Sequence, residues 1–166
     1  MKFQFIGLTP ELHKGLSIIC EELGITISDN GFPVIIDKEE GSIKVSLTNQ
    51  DGRIRYEKDV HFFRALGLFI ENFKVQNECE IVEEPQFDTN GIMIDASRNG
   101  VMTVDAIKML LRKMALMGLD VLMMYTEDTF EMEKYPYFGY MRGRYSEAEI
   151  KECDQYAYEL GIEMIP

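Results

Sequence analysis

Polar and apolar side chains alternate through residues 2–6, and a period of two predicts a strand. Thr9-Pro10-Glu11 then reads as a helix start, with a hydroxyl cap, Pro at the first helical position and an acid near the positive end of the dipole. Leu12, Leu16, Ile19 and Leu23 recur at helical spacing, and Gly24 supplies the residue after the helix. Strands are predicted at 32–37, 42–49 and 53–57, with Asn49-Gln50-Asp51-Gly52 turning a hairpin between the last two. A second helix is predicted over 59–75. Its stripe of Phe62, Phe63, Leu66, Phe69, Ile70 and Phe73 should pack on the sheet, and a further strand follows at 78–82.

Pro85 marks a change of pattern. Strand and helix now alternate: an apolar strand at 91–96, a helix from a Thr103 cap to Met117 ended by Gly118, and an apolar strand at 120–125. A last helix starts at the Ser146/Glu149 capping box and runs to Leu160; Gly161 stops it and leads into a third strand that reaches Pro166. Apolar strands alternating with amphipathic helices imply a parallel sheet covered by helices. The predicted fold is an α+β domain at 1–84 followed by a truncated α/β segment of the TIM-barrel type at 85–166, with about three parallel strands. The turn Asp95-Ala96-Ser97-Arg98-Asn99-Gly100 is charged and offers no phosphate cradle of the GxGxxG kind, which disfavours a dinucleotide fold. A whole barrel takes about 250 residues, so three strands supply at most part of a site.

Composition narrows the function classes. The 166 residues are 46% hydrophobic and 28% charged, which is globular. A net charge of -12 disfavours nucleic acid and anionic membrane surfaces, both of which need clustered Lys and Arg. Cys20, Cys79 and Cys153 are widely spaced and form no metal-binding motif. Reduced thiols in a cytoplasmic protein are the expectation, with no metal, no cofactor, and no leader or membrane span.

Function in such a segment belongs at the carboxyl ends of the strands. Asp95 and Arg98 end the first one; Arg can grip a diol through its fork while Asp holds it in place. Glu127 and Asp128 close the second and could accept hydrogen bonds from a sugar. As neighbours they point to opposite faces, so they do not form a catalytic pair. Tyr135, Tyr137, Phe138, Tyr140, Arg142, Arg144 and Tyr145 form an aromatic-basic segment that either contacts sugar or packs over the barrel mouth. His13 and His61 are isolated and are expected on helix surfaces.

The run Asn90-Gly91-Ile92-Met93-Ile94-Asp95-Ala96-Ser97-Arg98-Asn99 resembles the first barrel strand of glycoside hydrolase family 20, the β-N-acetylhexosaminidases. Leu119-Asp120-Val121-Leu122, Tyr125-Thr126-Glu127-Asp128, Gly143-Arg144-Tyr145-Ser146 and Gly161-Ile162-Glu163-Met164-Ile165-Pro166 are similar to later passages of that family, in the same order. Glu127 stands where the family has the first acid of Thr-Asp-Asp, and Met123-Met124-Tyr125 stands where it has a His-rich stretch.

The resemblance implies a retaining, substrate-assisted glycosidase acting on terminal N-acetyl-β-hexosamine of glycans. Arg98 would bind ring hydroxyls and Asp128 would support the catalytic centre. The family's catalytic Asp-Glu pair lies on the fourth strand, so no catalytic residue is expected within 1–166 and the segment alone is expected to be inactive. Two alternatives remain. One is a non-catalytic assembly module, since open parallel edges invite partners and a homodimer through the exposed sheet. The other is a self-standing α/β enzyme, which no nucleophile–base constellation supports.

Overall fold

A computed structural model of the chain describes residues 1–76, 78–98 and 100–165. Asn99 and Pro166, both named in the sequence reading, lie outside the described residues.

The first half is a six-stranded mixed sheet with two helices on one face. Its elements are β1 (Lys2–Ile6), α1 (Leu12–Leu23), β2 (Thr26–Ile27), β3 (Phe32–Lys38), β4 (Ile43–Leu47), β5 (Gly52–Tyr56), α2 (Asp59–Phe73) and β6 (Cys79–Glu83). The order across the sheet is β2-β1-β3-β5-β4-β6. The β4–β5 hairpin is antiparallel as expected, closed by Thr48, whose N–H and hydroxyl both donate to Asp51. The β1–β3 and β3–β5 pairs are parallel. The predicted stripe of α2 packs as a core. Phe69 and Phe73 meet Phe3 edge-on at centroid distances of 5.7 and 4.9 Å, and Phe62 lies 5.5 Å from Tyr56.

Two local expectations are corrected. Helix α1 starts at Leu12 rather than Pro10, because residues 10 and 11 form a turn and the cap position falls on Glu11, whose side chain makes no capping bond. His61 is buried at 7% exposure, not on a surface, because α2 is covered on two sides and has no free face there.

The second half holds β7 (Gly91–Asp95), α3 (Val104–Met117), β8 (Val121–Tyr125), α4 (Glu147–Glu159) and β9 (Glu163–Ile165). The three strands are parallel in the order β7-β8-β9. The predicted punctuation is present. The Thr103 hydroxyl accepts from Ala106 N, Gly118 takes the left-handed conformation, and Ser146 and Glu149 cap each other reciprocally. One sheet face, carrying Leu122, Met124 and Met164, is buried; the other leaves Met93, Met123, Tyr125 and Ile165 exposed.

The halves share a seam. One hydrophobic cluster runs from Phe3 and Phe63 through Ile107 and Leu111 to Met164. Glu22 of α1 bonds Arg112 at 2.8 Å and also pairs with Lys113, while Lys58 reaches Asp120 at 3.1 Å. Asp120 also accepts from Asn90 N at 2.7 Å, so the root of β8 is tied both to α2 and to the entry of β7.

Candidate functional site

The site lies at the carboxyl ends of β7 and β8. Asp95 and Tyr125 are partners across the ladder, so both side chains stand on the open face. Ala96 N donates to Tyr125 O at 2.9 Å and locks the two strand ends together.

Asp95 does not hold Arg98, contrary to expectation. Its Oδ1 accepts from Ser97 Oγ at 2.6 Å and Ser97 N at 2.8 Å, which fixes the turn. The Ser97 hydroxyl, then the Ser97 amide, hold the Asp95 carboxyl below its ordinary value, with the Arg98 charge a smaller contributor. The partner of Arg98 is Glu127: Nη2 lies 3.4 Å from Oε1. Side-chain direction explains the exchange. Asp95 leans back into its own turn, while Glu127 enters from the turn after β8.

Glu127 reaches that place through a strained backbone. Its φ is +46°, a left-handed conformation that costs a residue with a Cβ about 1 kcal/mol or more. The following turn holds it there, because Thr129 N and Oγ1 both donate to Thr126 O, at 2.9 and 2.6 Å. The phenol of Tyr125 donates to the same Glu127 oxygen at 2.9 Å, and the carboxylate pushes the Tyr125 phenol above its ordinary value.

Asp128 points elsewhere. Its Oδ1 faces Arg142 Nε at 3.5 Å, and its carbonyl packs against Gly139. The expectation that Glu127 and Asp128 diverge therefore holds in geometry. Asp95, Arg98 and Glu127 come together; Asp128 instead anchors the loop that follows.

Reasoning from the residues gave Tyr125 no role at the site, and it named Arg142 within the aromatic-basic segment without finding its acidic neighbour Asp128. Tyr125 had a legible signal: it ends the predicted strand on the same face as Met123, at the carboxyl end where function was expected. Arg142 had none, because its partner is set by the path of an irregular loop.

Asp95, Arg98, Tyr125 and Glu127 together offer two carboxylates, a fork of N–H donors and a phenol, exposed at the end of an apolar strip. Such a set suits a ligand carrying several hydroxyls. Among the described residues no group of three or more His, Cys, Asp or Glu could hold a metal ion, and no helix is long and apolar enough to cross a membrane. Cys20, Cys79 and Cys153 are free, and burial raises the Cys20 thiol to about 11.

No protein-family model matches the chain. A "Probable beta-hexosaminidase" of Arthroderma benhamiae is 34% identical over 104 residues, 58% of this chain and 17% of that protein. The chain thus spans under a fifth of the length of that curated relative. The GH20 exo-β-N-acetylglucosaminidase of Vibrio harveyi, solved with N-acetylglucosamine, superposes with a TM-score of 0.80 at 18% identity, over 99% of this chain and 32% of that one. The β-N-acetylhexosaminidase of Bacteroides fragilis gives 0.76 at 19% identity, over 99% and 39%. The GH20 β-N-acetylhexosaminidase of Streptomyces coelicolor gives 0.74 at 18%, over 99% and 41%. The solved structures establish the fold, and the curated relative adds likeness in sequence. Together they show that this chain is similar to glycoside hydrolase family 20 proteins, in fold over 99% of its length and in sequence to one probable beta-hexosaminidase over 104 residues.

Proposed function

We propose that residues 1–166 are the amino-terminal portion of an enzyme that removes terminal N-acetyl-β-hexosamine from glycans by a retaining, substrate-assisted mechanism. In this reading Arg98 grips ring hydroxyls of the terminal sugar, with Asp95 and Glu127 lining the same wall. Asp128 acts at one remove by fixing the loop. The observation that carries the reading is the convergence of Arg98, Tyr125 and Glu127 at the carboxyl ends of adjacent parallel strands. The acetamido carbonyl of the substrate would attack its own anomeric carbon, with the acid/base Glu and its neighbouring Asp supplied from a fourth strand. These 166 residues alone should therefore not hydrolyse an aryl N-acetyl-β-glucosaminide. Turnover above a buffer blank that survives repurification would overturn the assignment of the catalytic pair to residues elsewhere. We further propose a cytoplasmic setting, supported by the three free thiols, and an organisation into units 1–84 and 85–166, supported by the irregular stretch 84–90 between them.

A second reading, a non-catalytic assembly module, is favoured by the open face. Met93, Met123 and Ile165 are register neighbours across the three strands, and all are exposed. Burying each such side chain is worth about 1.5–3 kcal/mol, enough to drive a homodimer through the sheet. Light scattering on the 166-residue chain tests this: a dimer dispersed by Met123→Lys supports it, and a monomer at high concentration removes it.

A further inference from the structure

The outer face of the first sheet is used by none of the above. Period-two alternation turns Val34, Ile36, Val45 and Ile54 under the helices, where all four are buried. Asp37, Lys44, Arg53 and Arg55 therefore stand on the opposite face. Strand register makes them neighbours. Arg55 lies between Lys44 of β4 and Asp37 of β3, and Arg53 lies across from Ser46 of β4, which in turn lies across from Glu80 of β6. A chain of net charge -12 thus collects three cations, Lys44, Arg53 and Arg55, round one groove of about 400 Å³.

Two features set this cluster apart from a solvated network of ion pairs. Lys44 and Arg55 are like charges directly opposite each other across an antiparallel pair, an arrangement that weakens a sheet. The neighbouring acids do not offset it by hydrogen bonding. Asp37 Oδ2 lies 3.7 Å from Arg53 Nε and 3.8 Å from Arg55 Nε, and Glu39 Oε2 lies 3.8 Å from Arg55 Nη1. Those separations exceed hydrogen-bond length, so the acids attract the two forks without taking their N–H groups. Arg55 Nε is buried and has no hydrogen-bond partner among the described residues. A buried donor left unpaired costs stability, and an acceptor arriving from outside would remove that cost.

We propose that Lys44, Arg53 and Arg55 bind a single tetrahedral oxyanion, sulfate or phosphate, free or as an ester. A carboxylate offers one bidentate edge and would satisfy one fork, whereas a tetrahedral oxyanion presents an oxygen to each of three cations. Asp51 and Glu80 line the same groove and Asp37 flanks it, and these acids would repel an extended polyanion such as a nucleic acid. The site lies in the first half of the chain and is independent of the role given to Asp95, Arg98 and Glu127.

The test is an NMR titration of the 166-residue chain with labelled arginine and lysine side chains, at an ionic strength held constant with sodium chloride. Inorganic sulfate and inorganic phosphate should shift the Lys44, Arg53 and Arg55 signals along a saturable curve, with a Kd of about 1–10 mM. Arg112, which bonds Glu22 and Tyr156, should stay still. Methyl phosphate separates the two sources: affinity equal to that of phosphate upholds a site for an ester, and affinity weaker by about tenfold or more upholds a site for the free ion. Arg53→Gln and Arg55→Gln, in chains that keep their fold, should each weaken binding about tenfold. Asp37→Asn should tighten it about threefold, because an acid that competes with the ligand is gone, a gain that a merely structural ion pair would not give. A linear drift shared by Arg112 would overturn the proposal, as would unchanged affinity in both arginine variants or no gain in Asp37→Asn. Acetate binding as tightly as sulfate would overturn it too, by assigning the groove to a carboxylate.

Discussion

Tyr125 donates its phenol to Glu127 Oε1 at 2.9 Å, across a backbone that places Glu127 at a φ of +46°. The bond joins the last residue of a strand to a residue two positions on, in a conformation that a Cβ resists. Strain of this kind persists only where surrounding structure holds it, and here it sets the carboxylate between a phenol and the Arg98 guanidinium.

The Tyr125–Glu127 bond has a direct signature. The carboxylate raises the phenol above its ordinary value, with Arg98 opposing weakly. Glu127→Gln removes the charge, so the Tyr125 ring carbon should titrate lower in the variant, close to the ordinary tyrosine value of about 10. A titration curve identical in the two proteins would mean the bond does not form in solution.

His61 should make the chain sensitive to mild acid. Burial, then the Lys58 charge, hold its imidazole below the ordinary value, while Asp120 and Glu57 oppose less strongly. Nδ1 is buried without a partner. The unfolded chain takes up a proton more readily than the folded one, so the stability of the neutral form is present above about pH 6.5 and is lost as pH falls through the lowered folded value. His61→Phe should shift Tm little at pH 8 and raise it relative to the parent, by a few degrees, near pH 5. An equal Tm difference at both pH values would contradict the burial.

Gly15 tests the seam between the halves. A Cβ there would lie 2.0 Å from the Glu159 carbonyl and 2.5 Å from Phe63 Cζ. On a free helix Gly→Ala would stabilise by about 1 kcal/mol. In this chain, overpacking against a backbone carbonyl should instead destabilise by about 1–3 kcal/mol, measured by urea denaturation. A gain in stability would mean that α1 does not meet the end of α4 as described.

Much of the fold was legible because its signals are local. The Thr103 cap, the Ser146/Glu149 box and the glycines at 118 and 161 each act within a few residues, and each does what its chemistry predicts. The parallel pairing of β1 with β3 and β3 with β5 was not legible, because register between distant strands leaves no local period. The two-residue β2 is too short to show one at all. The site follows the same division. Asp95 ends β7 where the pattern puts a strand end, but the partner of Arg98 depended on a left-handed residue in the turn after β8. The burial of His61 depended on a second layer that α2 alone does not reveal.

The most direct measurement is made on the complete reading frame that encodes residues 1–166, expressed and assayed against an aryl N-acetyl-β-glucosaminide, with Arg98→Ala alongside. Two lost charge-assisted hydrogen bonds to the sugar should lower kcat/KM by about a hundredfold or more. The account predicts hydrolysis with retained anomeric configuration that collapses in Arg98→Ala while the fold is kept. No turnover of any N-acetyl-β-hexosaminide, or full activity in Arg98→Ala, would contradict it.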